Sequence, residues 1–197
     1  MMTQLAQQSQ EPAVPTLTTR RLLLRPVVES DIPAVQRHFN DYELIRNLSA
    51  VVPWPYPSDG AATWFHNHVL PNQGKEKWVW AITLRENPSE LIGVVDLWRK
   101  GSPENRGFWL SRQHWGKGYM TEAVIPVTDL AFDVLGFDKL ILENAVGNQR
   151  SARVKEKCGA RKIGEKNSSF VDPAFTASEL WELTKESWRS HKASLHG

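Results

Sequence analysis

Cysteine is almost missing from this chain: Cys158 is the only one in 197 residues, so no internal disulfide can form. A lone thiol fits a reducing compartment and points to a cytoplasmic protein. Net charge is nearly missing as well. A balance of +2, from 24 Lys and Arg against 22 Asp and Glu, is too small to argue for nucleic acid. No apolar run approaches the ~20 residues of a membrane span, so no membrane partner is expected. Residues 1–15 are rich in Gln and Pro and lack the apolar stretch of a signal peptide. They read as a disordered tail. Without an internal repeat or a second domain, residues 16–197 are expected to form one domain.

What is abundant is tryptophan, with nine residues. Trp is rarely buried completely, so several are expected to line a groove or an interface. A monomer or a homodimer is compatible with this. The first strand is expected at 21–27, followed by a helix at 30–39 capped by Ser30 and a short one within 41–48. The prolines of "VVPWPYPSDG" hold that stretch extended and present Trp54 and Tyr56. Ser58 then caps a helix through 61–70. Strands follow at 77–86, 91–100 and 106–111 as an antiparallel meander. A helix at 120–136 carries Pro126, which predicts a kink. A buried strand at 139–146, a helix at 148–160 and two strands within 160–170 and 178–188 close the chain. The main order is β, α, α, β, β, β, α, β, α, β, β. This is an α+β fold: a mixed, mostly antiparallel sheet with one parallel step and helices on both faces.

The stretch "QHWGKGYMTEA" follows a strand and opens a helix, which is how proteins hold phosphate. A Walker A loop needs Lys and then Ser or Thr after its second glycine, but Gly118 is followed by "YMT". A dinucleotide fingerprint needs Gly or Ala where Thr121 stands. The pattern left is Q-x-x-G-x-G, made by Gln113, Gly116 and Gly118. Here backbone N–H groups converge at a helix N-terminus, glycine admits close approach, and Lys117 adds charge.

With those residues in view, the chain resembles the GNAT superfamily of N-acetyltransferases. "FWLSRQHWGKGYMTEAV" is similar to its acetyl-CoA pyrophosphate loop. "NQRSARVKEKCGA" is similar to its N-x-x-S…E-K-x-G-[FA] motif. "VPWPYPSDGAATWF" resembles the segment before the second helix in the RimJ/RimL branch, which acetylates N-termini of ribosomal proteins. The resemblance spans residues 18–188 and keeps the order of elements. It implies that acetyl-CoA lies in a V between strands 106–111 and 139–146. The pantetheine would pair with backbone at Trp109, Leu110 and Ser111. The pyrophosphate would sit on amides of Gly116, Lys117, Gly118, Tyr119, Met120 and Thr121. By the same resemblance Asn148 hydrogen-bonds the pantetheine, although a plain N-cap already explains it. Ser151 would protonate the leaving thiolate. Arg153 and Lys157, one turn apart, could reach the CoA phosphates. The basic run Arg150, Arg153, Lys155 and Lys157 otherwise reads as a solvated face.

The general base is open. The RimJ/RimL branch often carries Glu where this chain has Asn105, and asparagine takes no proton at neutral pH. Glu104, turned to the other face by strand alternation, and Asp96 on the neighbouring strand are the candidates. An α-amine, with a pKa near 8, needs less help from a base than lysine does. Trp54 and Tyr56 either wall the acceptor groove or pack on the second helix, and Trp98 and Trp109 are core or pocket floor. His66 and His68 diverge on a helix and bind no metal, His114 is expected to be exposed, and Cys158 is a small buried hydrophobe. The expected activity is acetyl transfer from acetyl-CoA to a primary amine such as a protein N-terminus, by direct attack in a ternary complex without a metal. The alternatives are a small-molecule amine acceptor (polyamine, amino acid or antibiotic) and a non-catalytic CoA-binding module.

Overall fold

A computed structural model describes residues 13–99 and 104–195. Residues 1–12 of the expected tail, and residues 100–103 at the end of an expected strand and its turn, lie outside the described residues. The strands are β1 (Leu17–Thr18), β2 (Leu22–Pro26), β3 (Lys77–Leu84), β4 (Asn87–Trp98), β5 (Arg106–Leu110), β6 (Lys139–Ala145), β7 (Arg161–Asn167) and β8 (Ala177–Thr184). They form one sheet in the order β1-β2-β3-β4-β5-β6-β8-β7. Among the strands of the described residues, only β5 and β6 pair in parallel. The helices are α1 (Ile32–Phe39), α2 (Tyr42–Ile45), α3 (Gly60–Trp64), α4 (Tyr119–Asp133), α5 (Gln149–Glu156) and α6 (Lys185–Leu195).

Alternation along the strands divides the apolar residues between two faces. Trp78, Trp80, Ile82, Val95 and Leu97 pack under α4, α5 and Trp188 of α6. Val79, Ala81, Leu91 and Val94 pack under Val35, Phe39, Ala61 and Phe65 from α1 to α3 and the turn that follows. Helices therefore cover both faces, as the pattern predicts. Trp78, Trp80, Trp181 and Trp188 are each at most 6% exposed, so these four fill the core rather than a groove. Buried Trp is tolerated where its N–H finds a partner. Trp80 Nε1 donates to Pro15 O at 2.8 Å, and Trp188 Nε1 donates to Asp129 at 2.8 Å.

Several local expectations are corrected. Ser30 does not cap α1; it lies in a 3-10 turn, Glu29–Asp31. Asp31 organises that entry instead, accepting from Val28 N at 2.9 Å and gripping Arg25 through both oxygens at 2.7 and 2.8 Å. Ser58 does not cap α3. Gln36 of α1 accepts from Ala61 N at 3.1 Å and donates to Pro57 O at 2.8 Å, so a tertiary contact replaces the local one. The chain after α3 continues as a π-helical turn, Phe65–Val69. The β3–β4 hairpin turns at Arg85 and Glu86, and register shifts near Thr83 absorb the difference. The expected last strand stops at Thr184. There a reciprocal pair with Ser187, both N–H to side-chain oxygen contacts at 3.0 Å, caps a new helix, α6. α4 runs through Pro126 without a break.

Candidate functional site

The site begins where the parallel pair separates. β5 and β6 meet in the ladder only at Arg106 opposite Leu142. β5 then stays with β4, and β6 stays with β8 through Ala145. Asn105 ties this junction. Its N–H donates to Ile141 O at 2.8 Å, its Oδ1 accepts from Ile141 N at 2.9 Å, and its Nδ2 donates to Trp98 O at 3.3 Å. The side chain named as a catalytic candidate is thus spent on backbone of both neighbouring strands. Beyond it lies a cleft of about 1350 Å³. That volume exceeds what a single drug-sized ligand occupies, about 300–1,000 Å³, and leaves room for two reactants.

One wall is the glycine turn. Gly116 and Gly118 have φ of +74° and +77°, in the left-handed region where glycine is at no disadvantage. A Cβ at Gly116 would meet nothing within 4 Å, so the conformation rather than crowding requires glycine. No side chain caps the start of α4, whose first-turn amides stay available to an anion. The turn is braced from both sides. Trp115 Nε1 donates to Leu110 O at 2.6 Å, and the Arg150 guanidinium lies 3.8 Å from the Trp115 ring centroid. Glu122 ties α4 to the β1–β2 hairpin through Thr19 at 2.6 Å and Arg21 at 2.7 Å. His114 is 9% exposed, not solvent-facing as expected: its Nδ1 is 2.6 Å from Ser111 Oγ. Burial first and Lys117 second push its pKa down.

A second wall is the start of α5. Asn148 is the N-cap, its Oδ1 accepting from Ser151 N at 3.3 Å. Ser151, Arg150, Arg153 and Lys157 face the cleft. Lys155 does not belong to a solvated face. It is 1% exposed, and its Nζ donates to Ser151 Oγ at 2.7 Å. Sequence reading missed it by treating the basic run as one surface; the i, i+4 step from Ser151 was the available signal. Beside it Arg106 is 2% exposed and donates to Thr128 Oγ1 at 3.2 Å.

The third wall carries carboxylates and aromatic rings. Asp96 is ion-paired to Lys77 at 3.2 Å, and Glu143 to Lys166 at 2.5 Å. A Cβ at Gly107 would come within 2.7 Å of Asp96 Oδ1, so this glycine makes room for the carboxylate. Glu104 also lines the cleft. It precedes β5, so strand alternation does not bind it. Burial first and Glu143 second push its carboxyl up to about 8. Tyr56 lines the cleft and packs on Phe39, with ring centroids 5.0 Å apart. Trp54 is 44% exposed and packs on Tyr42 at 5.2 Å.

Of the residues named from sequence, the cleft gathers Asp96, Glu104, Trp98, Trp109, Leu110, Gly116, Gly118, Tyr119, Met120 and Thr121. It also gathers Asn148, Ser151, Arg153, Lys157 and Tyr56. Asn105, Ser111, Gln113, Lys117 and Trp54 are outside its lining. Cys158 is fully buried, and burial raises its pKa, so it is the small hydrophobe expected. Among the described residues no group of three or more His, Cys, Asp or Glu could hold a metal, and no helix is long and apolar enough to cross a membrane.

Comparison with known proteins agrees with this geometry. Residues 21–161 match the acetyltransferase (GNAT) domain family. The N-acetyltransferase YoaA of Bacillus subtilis is 25% identical over 158 residues, which are 76% of this chain and 85% of YoaA. In structure, RimJ of Mycobacterium smegmatis in complex with CoA-disulfide superposes with a TM-score of 0.74 at 17% identity, over 91% of this chain and 93% of that one. Spermidine N-acetyltransferase of Vibrio cholerae, in complex with CoA and spermine, gives 0.72 at 18% identity, over 87% and 99%. A family match over most of the chain, on a sheet split between two strands beside a glycine turn, makes this protein a member of the GNAT family of N-acetyltransferases, whose members use acetyl-CoA.

Proposed function

We propose that this protein transfers the acetyl group of acetyl-CoA to an α-amine, such as the N-terminus of a protein, in the manner of the RimJ/RimL branch. The observation that carries the acceptor assignment is the pairing of carboxylates in the cleft. Asp96 is neutralised by Lys77 and Glu143 by Lys166. Glu104, with its carboxyl near 8, is mostly uncharged at pH 7. Asp59, beside Tyr56, is the one lining carboxylate without an ion pair among the described residues; a single free carboxylate suits a singly charged amine, whereas a polyamine would need a row of them.

In this reading amides of residues 116–121 hold the pyrophosphate, and Arg153 and Lys157 supply charge to the phosphates. The pantetheine follows β5 at Trp109 and Leu110, with Asn148 opposite. Glu104 is the general base: once ionised, it takes a proton from the attacking ammonium, whose own pKa is near 8. Asp96 is held in an ion pair by Lys77 and is the alternative base. Backbone N–H groups of β5 stabilise the negative charge that forms on the carbonyl oxygen. Ser151 protonates the departing thiolate. The cytoplasm, where thiols stay reduced, is the location that suits the single Cys158.

The test is CoA release, followed with a thiol reagent, across free N-terminal peptides, N-blocked lysine peptides and spermidine. Free N-termini are expected to give the highest kcat/KM. A preference for spermidine or lysine side chains would overturn the acceptor assignment. Binding of acetyl-CoA with no turnover on any amine would make the protein a CoA-binding module instead.

A further inference from the structure

Lys155 has no part in that scheme, yet it is the most deeply buried ammonium near the cleft. It faces Arg106 of β5, Glu104 just before that strand, Glu179 of β8 and Cys158 beyond its own helix. Glu143 of β6, Lys166 of β7 and Asp96 of β4 lie around the same Glu104. The Phe108 ring is 5.3 Å from its Nζ. Lysine is seldom buried this deeply unless paired. Here its hydrogen bond goes to a neutral hydroxyl, Ser151 Oγ, at 2.7 Å.

The direction of that bond has a consequence. An ammonium only donates, so the serine oxygen is the acceptor. The serine proton then has to point away from Lys155, and Ser151 lines the cleft. Lys155 thereby leaves the Ser151 proton available to an acceptor in the cleft.

We propose that Lys155 is the proton reserve behind Ser151: a positioning residue that orients the hydroxyl and replaces the proton it gives to the departing CoA thiolate. The proposal rests on the acetyl-transfer reading above. As the carbon–sulfur bond breaks, its electron pair leaves with sulfur. The thiolate takes the Ser151 proton, Ser151 Oγ takes one from Lys155 Nζ, and Lys155 is left as a neutral amine that solvent reprotonates. The energetics fit the role. Burial first and Arg106 second bring Lys155 down to about 7. That lies close to the ~8.5 of a thiol, whereas an ordinary lysine near 10.4 holds its proton too firmly.

The experiment compares wild type, Ser151→Ala, Lys155→Met and the double variant with a saturating N-terminal peptide. Each single variant is expected to lower kcat roughly tenfold to hundredfold, at or below the low end of general-acid effects because a thiolate needs only modest help to leave. The KM for acetyl-CoA should change little, and the double variant should be no slower than Ser151→Ala alone. An acid that must carry its proton is fully effective below its pKa and fails above it. The wild-type kcat profile should therefore descend on the alkaline side, and Ser151→Ala should lose that descent. As a readout independent of turnover, the 15Nζ signal of Lys155 in the unliganded protein should titrate well below an ordinary lysine. Its midpoint should fall further in Ser151→Ala, which removes the acceptor of the charged form. A descent that persists in Ser151→Ala, losses that multiply in the double variant, or an ordinary lysine titration overturns the proposal. Should Lys155→Met not fold, the Ser151→Ala profile and the 15N titration still decide. A wild type that releases CoA while failing these tests rejects the relay alone; a wild type that releases none with any amine rejects the transfer reading and the relay with it.

Discussion

The two sides of the cleft are made of different material. The wall formed by the glycine turn and α5 is made of neighbouring residues and much backbone: two left-handed glycines, an uncapped helix start, a cap at Asn148, and the side chains that follow it on α5. The opposite wall is made of side chains that arrive from separate parts of the chain. Tyr56 comes from the proline-rich segment before α3, which bends at Trp54 and Pro55 instead of running extended as expected, and packs at a tilt on Phe39 of α1; Asp96 comes from β4, and Glu143 from β6. A backbone wall serves a ligand that never changes, whereas a side-chain wall is free to vary with the acceptor. The variants below separate the two by asking which substrate each one affects.

The largest effect is expected at Glu104, where chemistry and stability pull in opposite directions. Glu104→Gln removes the proposed base and should lower kcat by about 100-fold or more. With an acceptor whose amine is already neutral, such as a hydrazide, the wild-type rate should climb with pH on the acidic limb of its profile as Glu104 ionises, and the variant should show no such climb. The same substitution should stabilise the fold. The Glu104 carboxyl moves from an ordinary 4.5 to about 8 on folding, so the native state binds the extra proton between those values. Wild-type stability is then lost as pH rises through that window, and glutamine loses none. The gap in Tm should be absent near pH 4, open with rising pH and level off above 8. An unchanged kcat would return the base role to Asp96 or to water.

The same division governs what could be read from the sequence. Gly116, Gly118 and Asn148 were legible because a left-handed φ and a helix cap each admit few residue types. Seven of the eight strands and the burial of both sheet faces were legible from apolar patterning and β-branched content, whereas the two-residue β1 was not. Tertiary substitutions for local rules were not. Gln36 stands in for Ser58 at the start of α3, and Asp31 is held by Arg25 rather than leaving the role to Ser30. The final helix was hidden because Trp188 reads as one more apolar residue of the strand, whereas the Thr184–Ser187 cap ends the strand at Thr184. Lys155 was hidden because charge argues for solvent; the i, i+4 step from Ser151 was a weak signal, and the packed partners Arg106 and Phe108 show that this lysine turns inward.

The next effect in size contrasts the walls directly. Gly118→Val places a β-branched residue at φ +77° and costs roughly 1–2 kcal/mol or more in local strain. The KM for acetyl-CoA should rise about tenfold while the KM for the peptide acceptor holds. Tyr56→Ala should do the reverse if, as proposed, the wall where Tyr56 packs on Phe39 receives the acceptor. Steady-state kinetics with each substrate varied in turn reads both. Were Tyr56→Ala to raise only the KM for acetyl-CoA, the assignment of that wall to the acceptor would fall.

The smallest effect belongs to Asn148, where fold and function share one side chain. Its Oδ1 accepts from Ser151 N at a rather long 3.3 Å, so Asn148→Ala should cost about 0.5–1 kcal/mol, the low end for an N-cap. Aspartate caps a helix as well as asparagine does, but it has no N–H to donate. Asn148→Asp should therefore recover the lost stability, and the two roles come apart. If Asn148 only caps α5, Asn148→Asp also recovers the KM for acetyl-CoA. If its amide nitrogen donates to the pantetheine, the melting temperature recovers and the KM does not. The second outcome is expected, because Asn148 lines the cleft while its oxygen is already committed to the helix. The amide nitrogen is then the one atom of the cap left over for the cofactor wall.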